Sequence, residues 1–143
     1  MTPAAAVLLL LSPLAAPAAA DAAPVRAVLD AQLTAWNRGD LEAFMETYWK
    51  SPELLFQSNA ATTRGWQATV ERYRQRYLSD GREMGQLRFE ELDVEVLGPG
   101  VAFARGAWRL AFREGKTAQG RFTLLLRERP EGWRIVYDHS SGE

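Results

Sequence analysis

The chain holds one histidine, His139, and no cysteine, so imidazole chemistry near neutral pH has a single place to occur. His139 falls near the end of the last apolar alternation, in phase with Trp133, Ile135 and Tyr137. Successive strand residues face opposite ways, so Asp138 is expected on the other face and does not orient the ring. Two roles fit His139: a general acid/base or hydrogen-bond donor toward a ligand, and a structural anchor of the strand end. Arg121 shares a face with Thr123 and Leu125 on the preceding strand. At the rim of a cavity its guanidinium would grip a carboxylate through two parallel bonds, and on an open face it would be a solvated arginine. Tyr48, Phe56, Trp66, Tyr73, Tyr77, Trp108 and Tyr137 fall on the inward phases of their elements. Rings there build a core, and they can also wall a site for a flat apolar ligand.

Other spacings carry less chemistry. Glu91, Asp93 and Glu95 line one strand face, but a linear row without a turn to wrap an ion reads as solvated carboxylates, so no metal is expected. Arg72, Arg74, Arg76, Arg82 and Arg88 form a basic stretch interrupted by Glu71 and Glu83, which reads as a solvated helix face. Gly98-Pro99-Gly100 precedes a strand and lacks a third glycine, so it is a hairpin turn and no dinucleotide loop. No cofactor is implied.

The 143 residues carry 17 Lys plus Arg against 18 Asp plus Glu, a balance of −1 that argues against a dedicated nucleic-acid binder. One His and no Cys rule out a Cys/His zinc site, a disulfide scaffold and a thiol nucleophile. All charge lies after Ala20. Residues 1–20 comprise an apolar run from Ala4 to Leu11, then Ala and Pro up to Ala18-Ala19-Ala20. The run is about half of the roughly 20 residues that span a bilayer, and Ala18-x-Ala20 suits a signal peptidase. A signal peptide over 1–20, cleavage after Ala20 and a periplasmic or secreted product without stable membrane insertion are expected. A disordered Ala/Pro tail is the alternative. Residues 21–143 then form a single domain.

The mature chain opens with helical spacing at Val25, Val28, Leu29, Leu33 and Trp36, started by Pro24 and stopped by Gly39. Asp40 caps a second short helix with Leu41, Phe44, Met45 and Tyr48 on one face. Leu54 to Gln57 reads as a short strand, Ser58 to Thr63 as a polar loop, and Gly65 to Leu78 as a third helix. After Gly81 the period changes to two, with strands at Leu87 to Leu97, Val101 to Arg113, Thr117 to Arg129 and Trp133 to Ser140. The apolar phase slips at Glu90-Glu91, which a β-bulge explains. Helices first and long antiparallel strands afterwards give an α+β domain, with the helices on one face of a curved sheet. The other face carries Val101, Phe103 and Ala107 between arginines, a patch suited to an interface.

Trp36-Asn37-Arg38-Gly39-Asp40-Leu41-Glu42, Tyr48, Arg64-Gly65-Trp66, Gly120-Arg121-Phe122-Thr123 and the run from Gly132 to Ser141 resemble, in order and spacing, the nuclear transport factor 2-like superfamily. The likeness is to its SnoaL-like and ketosteroid-isomerase-like branch, which includes members of unknown function of the domain of unknown function 4440 type. It covers about Ala22 to Ser141 and implies a cone-shaped curved antiparallel sheet wrapped around three N-terminal helices. It also implies pairing as a homodimer through the outer sheet face. The isomerase pattern places Gln32 where a tyrosine belongs, Gln57 or Ser58 where the base belongs, and Thr123 or Leu124 where an aspartic acid belongs. None of these side chains titrates in the required range, which argues against isomerisation by that route. The expectation is an exported domain that binds a small apolar organic acid, walled by Tyr48, Phe56, Trp66, Tyr73, Trp108 and Tyr137, with Arg121 and His139 at its polar end. The alternatives are an acid/base enzyme acting through His139 and a protein-interaction or immunity module.

Overall fold

Pro24 stands in the first turn of helix α1 (Ala23–Asn37), where its fixed φ suits the helix and its missing N–H costs nothing. The helix buries Val25, Leu29 and Trp36 and ends before Gly39, whose φ of 76° lets the chain reverse. Asp40 caps helix α2 (Leu41–Met45) by accepting a 2.9 Å bond from the Ala43 N–H. The computed structural model describes residues 20–142, so the expected leader lies outside the described residues except for Ala20.

Strand β1 (Leu55–Ser58) is followed by a strand where the sequence suggests a polar loop. Asn59 adopts a left-handed φ of 51°, and Ala61–Arg64 folds back as β2 in register with β1. The two form a tight hairpin on the edge of the sheet. β2 buries almost nothing, so it carries no apolar alternation to announce it. Helix α3 (Trp66–Tyr77) follows, and then β3 (Gln86–Gly98), β4 (Val101–Ala111), β5 (Thr117–Arg129) and β6 (Gly132–Gly142). β4 stops two residues earlier than expected, because Arg113–Gly115 forms a short 3-10 turn.

The six strands order as β2-β1-β6-β5-β4-β3, antiparallel except for β1 beside β6. This is an α+β domain with the helices on the concave face of a curved sheet, as expected. The core joins Leu29, Trp36, Phe44 and Met45 from the helices to Ala102, Ala104, Leu124, Leu126 and Ile135 from the strands.

Among the described residues three register shifts interrupt the sheet, one at Leu97 beside the β3–β4 turn and two within the body of the sheet. In β3 the pairing jumps from Glu90–Ala107 to Asp93–Arg105, with Glu91 at φ 53°, which is the slip read at Glu90-Glu91. The second bulge lies in β6, where Leu126 pairs with Ile135 but Leu125 pairs with Tyr137. Val136 is the extra residue. It reverses the inward phase of everything after it, so Ile135 and Asp138 are buried while His139 is exposed.

Gly120 is fixed by close approach: a Cβ there would lie 1.7 Å from the Ser141 carbonyl oxygen and 2.7 Å from the Trp108 ring. Gly120→Ala is expected to destabilise the domain by about 1–3 kcal/mol, the usual cost of overpacking. Gly98→Ala, where the nearest atom would stand at 3.8 Å, should leave the urea midpoint nearly unchanged.

Candidate functional site

The concave face of the sheet and helices α1 and α3 enclose a cavity of about 110 Å³, well above the roughly 10–15 Å³ that admits one water. Four of the expected wall residues line it: Tyr48, Phe56, Tyr73 and Trp108. They are joined by Trp36, Phe44, Tyr77, Phe89 and Phe122. Several of the rings pack edge to face, with Trp36 and Tyr77 at 4.9 Å and Phe44 and Tyr73 at 5.3 Å between centroids, a favoured geometry for aromatic pairs.

Asp138 supplies the carboxyl of this cavity and is only 3% exposed. Its Oδ2 accepts a 2.7 Å bond from the Tyr48 hydroxyl and its Oδ1 a 2.7 Å bond from Ser140 Oγ. The β6 bulge turns the carboxyl inward. Tyr48 is delivered by the segment after α2, where the Trp49 N–H donates to the Ile135 carbonyl at 2.9 Å and the Ile135 N–H to the Thr47 carbonyl at 3.0 Å. Burial pushes the Asp138 carboxyl up to about 6, against the opposing pull of its bonds from Tyr48 and Ser140 and of the His139 charge. Burial and the neighbouring Asp138 charge hold the Tyr48 and Tyr73 phenols well above their ordinary range, so both remain protonated donors.

Gln32, Arg72 and Arg76 add polar groups to a lining that also holds Ser58, Asn59 and Ser141. Gln32 on α1 is 2% exposed, and its Nε2 has no hydrogen-bond partner. At the mouth, Arg72 reaches Thr63 Oγ1 at 3.4 Å and lies over the Phe56 ring at 5.5 Å. Arg76, one turn along, lies over the Tyr77 ring at 5.6 Å.

The other expected site residues lie elsewhere. Arg121 points from the outer face, its side chain 70% exposed, and pairs with Glu91 at 2.8 Å. His139 is exposed on the same face, in an open groove of about 560 Å³ that it lines together with Arg121, Asp93 and Arg105. Tyr137 follows His139 to the outside and donates to Gln57 Oε1. Trp66 is tied by its indole N–H to the Met45 carbonyl at 2.9 Å and packs against the core away from the cavity. Of the isomerase-pattern positions, Gln32, Ser58 and Leu124 line the cavity, whereas Gln57 and Thr123 do not. The carboxylate row is a solvated ion-pair face, with Asp93 on Arg105 at 3.1 Å. Among the described residues no three His, Asp or Glu side chains converge as metal ligands, and no helix is long and apolar enough to cross a membrane.

Asp138, Arg72 and Arg76 are the residues that sequence reasoning missed. For Asp138 the available signal is the unbroken apolar run Ile135-Val136-Tyr137, which leaves the strand's phase open. For the arginines it is their alternation with Tyr73 and Tyr77, which places two cations beside two inward rings on one helix.

A family model for the SnoaL-like domain matches residues 25–142. The chain belongs to the SnoaL-like domain family. A solved protein of unknown function from Shewanella oneidensis MR-1, described as NTF-2 like, is 36% identical and superposes with a TM-score of 0.76, covering 83% of this chain and 97% of that one. A ketosteroid isomerase-like protein from Erwinia carotovora atroseptica SCRI1043 shares the fold at 22% identity and a TM-score of 0.65, covering 84% of this chain and 94% of that one. A putative calcium/calmodulin dependent protein kinase II association domain from Xanthomonas campestris does so at 22% and 0.68, covering 89% and 91%. A comparison with curated proteins returns no match. The architecture is thus the NTF2-like, cystatin-like fold expected from the sequence.

The buried carboxyl gives this SnoaL-like domain a pH signature. Its folded value lies above the ordinary 3.8, so the folded state binds the extra proton and stability falls as pH rises from about 4 to about 6. Asp40, held low by the Ala43 amide and Arg38, and Glu90, held low by Arg109, act in the opposite sense in more acidic solution. An asparagine keeps an acceptor for Tyr48 and a donor for Ser140. Asp138→Asn should therefore be more stable than the native chain above pH 6, by on the order of 3 kcal/mol, with the gap closing below pH 4. Urea denaturation across that range measures it.

Proposed function

We propose that this SnoaL-like domain binds a small apolar organic acid in its aromatic cavity, with the carboxylate toward Arg72 and Arg76. The observation that carries this reading is the separation of charge along the cavity. The cationic side chains lining it stand at the mouth, while the interior offers rings, two protonated phenols and a largely buried carboxyl. An apolar body enters such a wall with little polar desolvation, and a guanidinium at the entrance fixes its direction. The anion grip assigned to Arg121 by sequence passes to Arg72, since Arg121 is occupied by Glu91 on the other face.

A second reading rests on Asp138. A carboxyl that exchanges its proton near pH 6 inside an apolar cavity, beside a protonated tyrosine, has the character of a general acid/base. On that reading the bound acid is turned over, and Asp138→Asn abolishes turnover while binding survives. A protein-interaction or immunity role predicts a cavity that no small acid occupies.

The test is a thermal-shift screen of aliphatic and aromatic acids on the domain beginning at Asp21, with calorimetry on each hit. Arg72→Gln should weaken binding by about ten- to a hundredfold, roughly 1.5–3 kcal/mol, the range for a hydrogen bond to a charged group. Arg121→Gln should leave it unchanged. A panel in which no acid stabilises the domain contradicts the proposal.

We also propose export after cleavage at Ala20 and a homodimer through the outer sheet face, where Val101, Phe103 and Ala107 are half-buried between exposed arginines. Mass spectrometry of the protein from its native host should find Asp21 at the amino terminus. Light scattering should give twice the mass of one mature chain, and a monomer mass contradicts the pairing.

A further inference from the structure

Gln32 lies on the helix that closes the cavity, and its amide Nε2 is buried without a hydrogen-bond partner. A buried amide donor left unpaired costs about 1–3 kcal/mol, and interiors rarely retain one. Leucine or methionine would fill similar volume at that helical position without the cost. The side chain is 2% exposed, whereas Arg72 is half-buried and Arg76 exposed, so the orphan donor sits deeper than the cations. The Tyr48 phenol, which lines the same cavity, is already committed to Asp138.

We propose that Gln32 is the deep hydrogen-bond donor of the cavity and that the ligand is an oxo acid, with its carboxylate at Arg72 and an uncharged carbonyl oxygen at Gln32. The inference rests on the organic-acid reading above and names the second polar group that such an acid carries. The deep oxygen is uncharged for two reasons: none of the cationic side chains lining the cavity lies as deep as Gln32, and a second carboxylate would face the buried Asp138. A neutral amide offers a hydrogen bond to a carbonyl without demanding a countercharge. A site built this way accepts the oxo acid and rejects its hydrocarbon isostere, because the isostere leaves the amide unpaired.

Two isosteric pairs test it by calorimetry on the mature domain: 4-acetylbenzoate against 4-isopropylbenzoate, and 5-oxohexanoate against 5-methylhexanoate. The native chain should favour the oxo form of at least one pair by about tenfold or more. Gln32→Leu should erase that preference, weakening the oxo acid and strengthening the isostere, and Gln32→Met serves if the leucine variant does not fold. The absence of an oxo preference in both pairs, among acids that do bind, overturns the role of Gln32 and leaves the acid site standing. So does a preference that survives in the variant. Failure of every acid in the wider panel overturns the organic-acid reading itself, so the two failures are separable.

Discussion

A single extra residue in the last strand decides what this cavity contains. Val136 has no partner on β5, and the side-chain alternation of β6 inverts across it. Before the bulge Ile135 faces the core, and after it Asp138 does. A straight strand would bring His139 and Tyr137 inside and put Asp138 in water. The bulge instead brings a carboxyl under α1 and α3, within reach of Tyr48, and sends the imidazole to the solvent face. The parallel pairing of β1 with β6 continues the same phase, so that Phe56 lies opposite Asp138 and Gln57 opposite His139.

The chemistry of the site follows from that placement. Burying a carboxylate is costly, and two hydroxyl bonds offset part of the cost without a cation bonded to it. The carboxyl therefore gives up its proton less readily than a surface aspartate. The cations that could have paired with it stay at the mouth, held by Thr63, the Phe56 ring and the Tyr77 ring. On the outer face the charges cancel in pairs: Arg121 with Glu91, Arg105 with Asp93 and Arg109 with Glu90. Pairs this exposed contribute little to stability. The two faces of one sheet thus differ in kind, one aromatic and directional, the other polar and paired.

Local signals made most of the fold readable from the sequence. Pro24, Gly39 and Asp40 mark helix ends through φ preference and capping, which depend on a few neighbouring residues. The β3 bulge was visible because polar Glu90 and Glu91 interrupt a clean alternation. The β6 bulge was hidden because Ile135, Val136 and Tyr137 are all apolar, so either phase satisfies the pattern. β1 is legible as a strand, but Ser58 to Thr63 reads as a loop because β2 is an exposed edge of Thr and Arg, without a buried side to impose a period of two. The aromatic wall was legible at Tyr48, Phe56, Tyr73 and Trp108, since large rings on inward phases have nowhere else to go. The polar members were not, because whether Asp138, Arg72 or Arg121 meets the cavity depends on strand phase and on which face the helix closes.

The most direct measurement is a carbon NMR titration of the aspartate carboxyls in the domain beginning at Asp21, with Asp138→Asn as the assignment standard. The account predicts one aspartate titrating near pH 6, absent in the variant. If no aspartate titrates near pH 6 in the native chain, Asp138 faces water, β6 runs without its phase reversal, and the cavity described here is wrong.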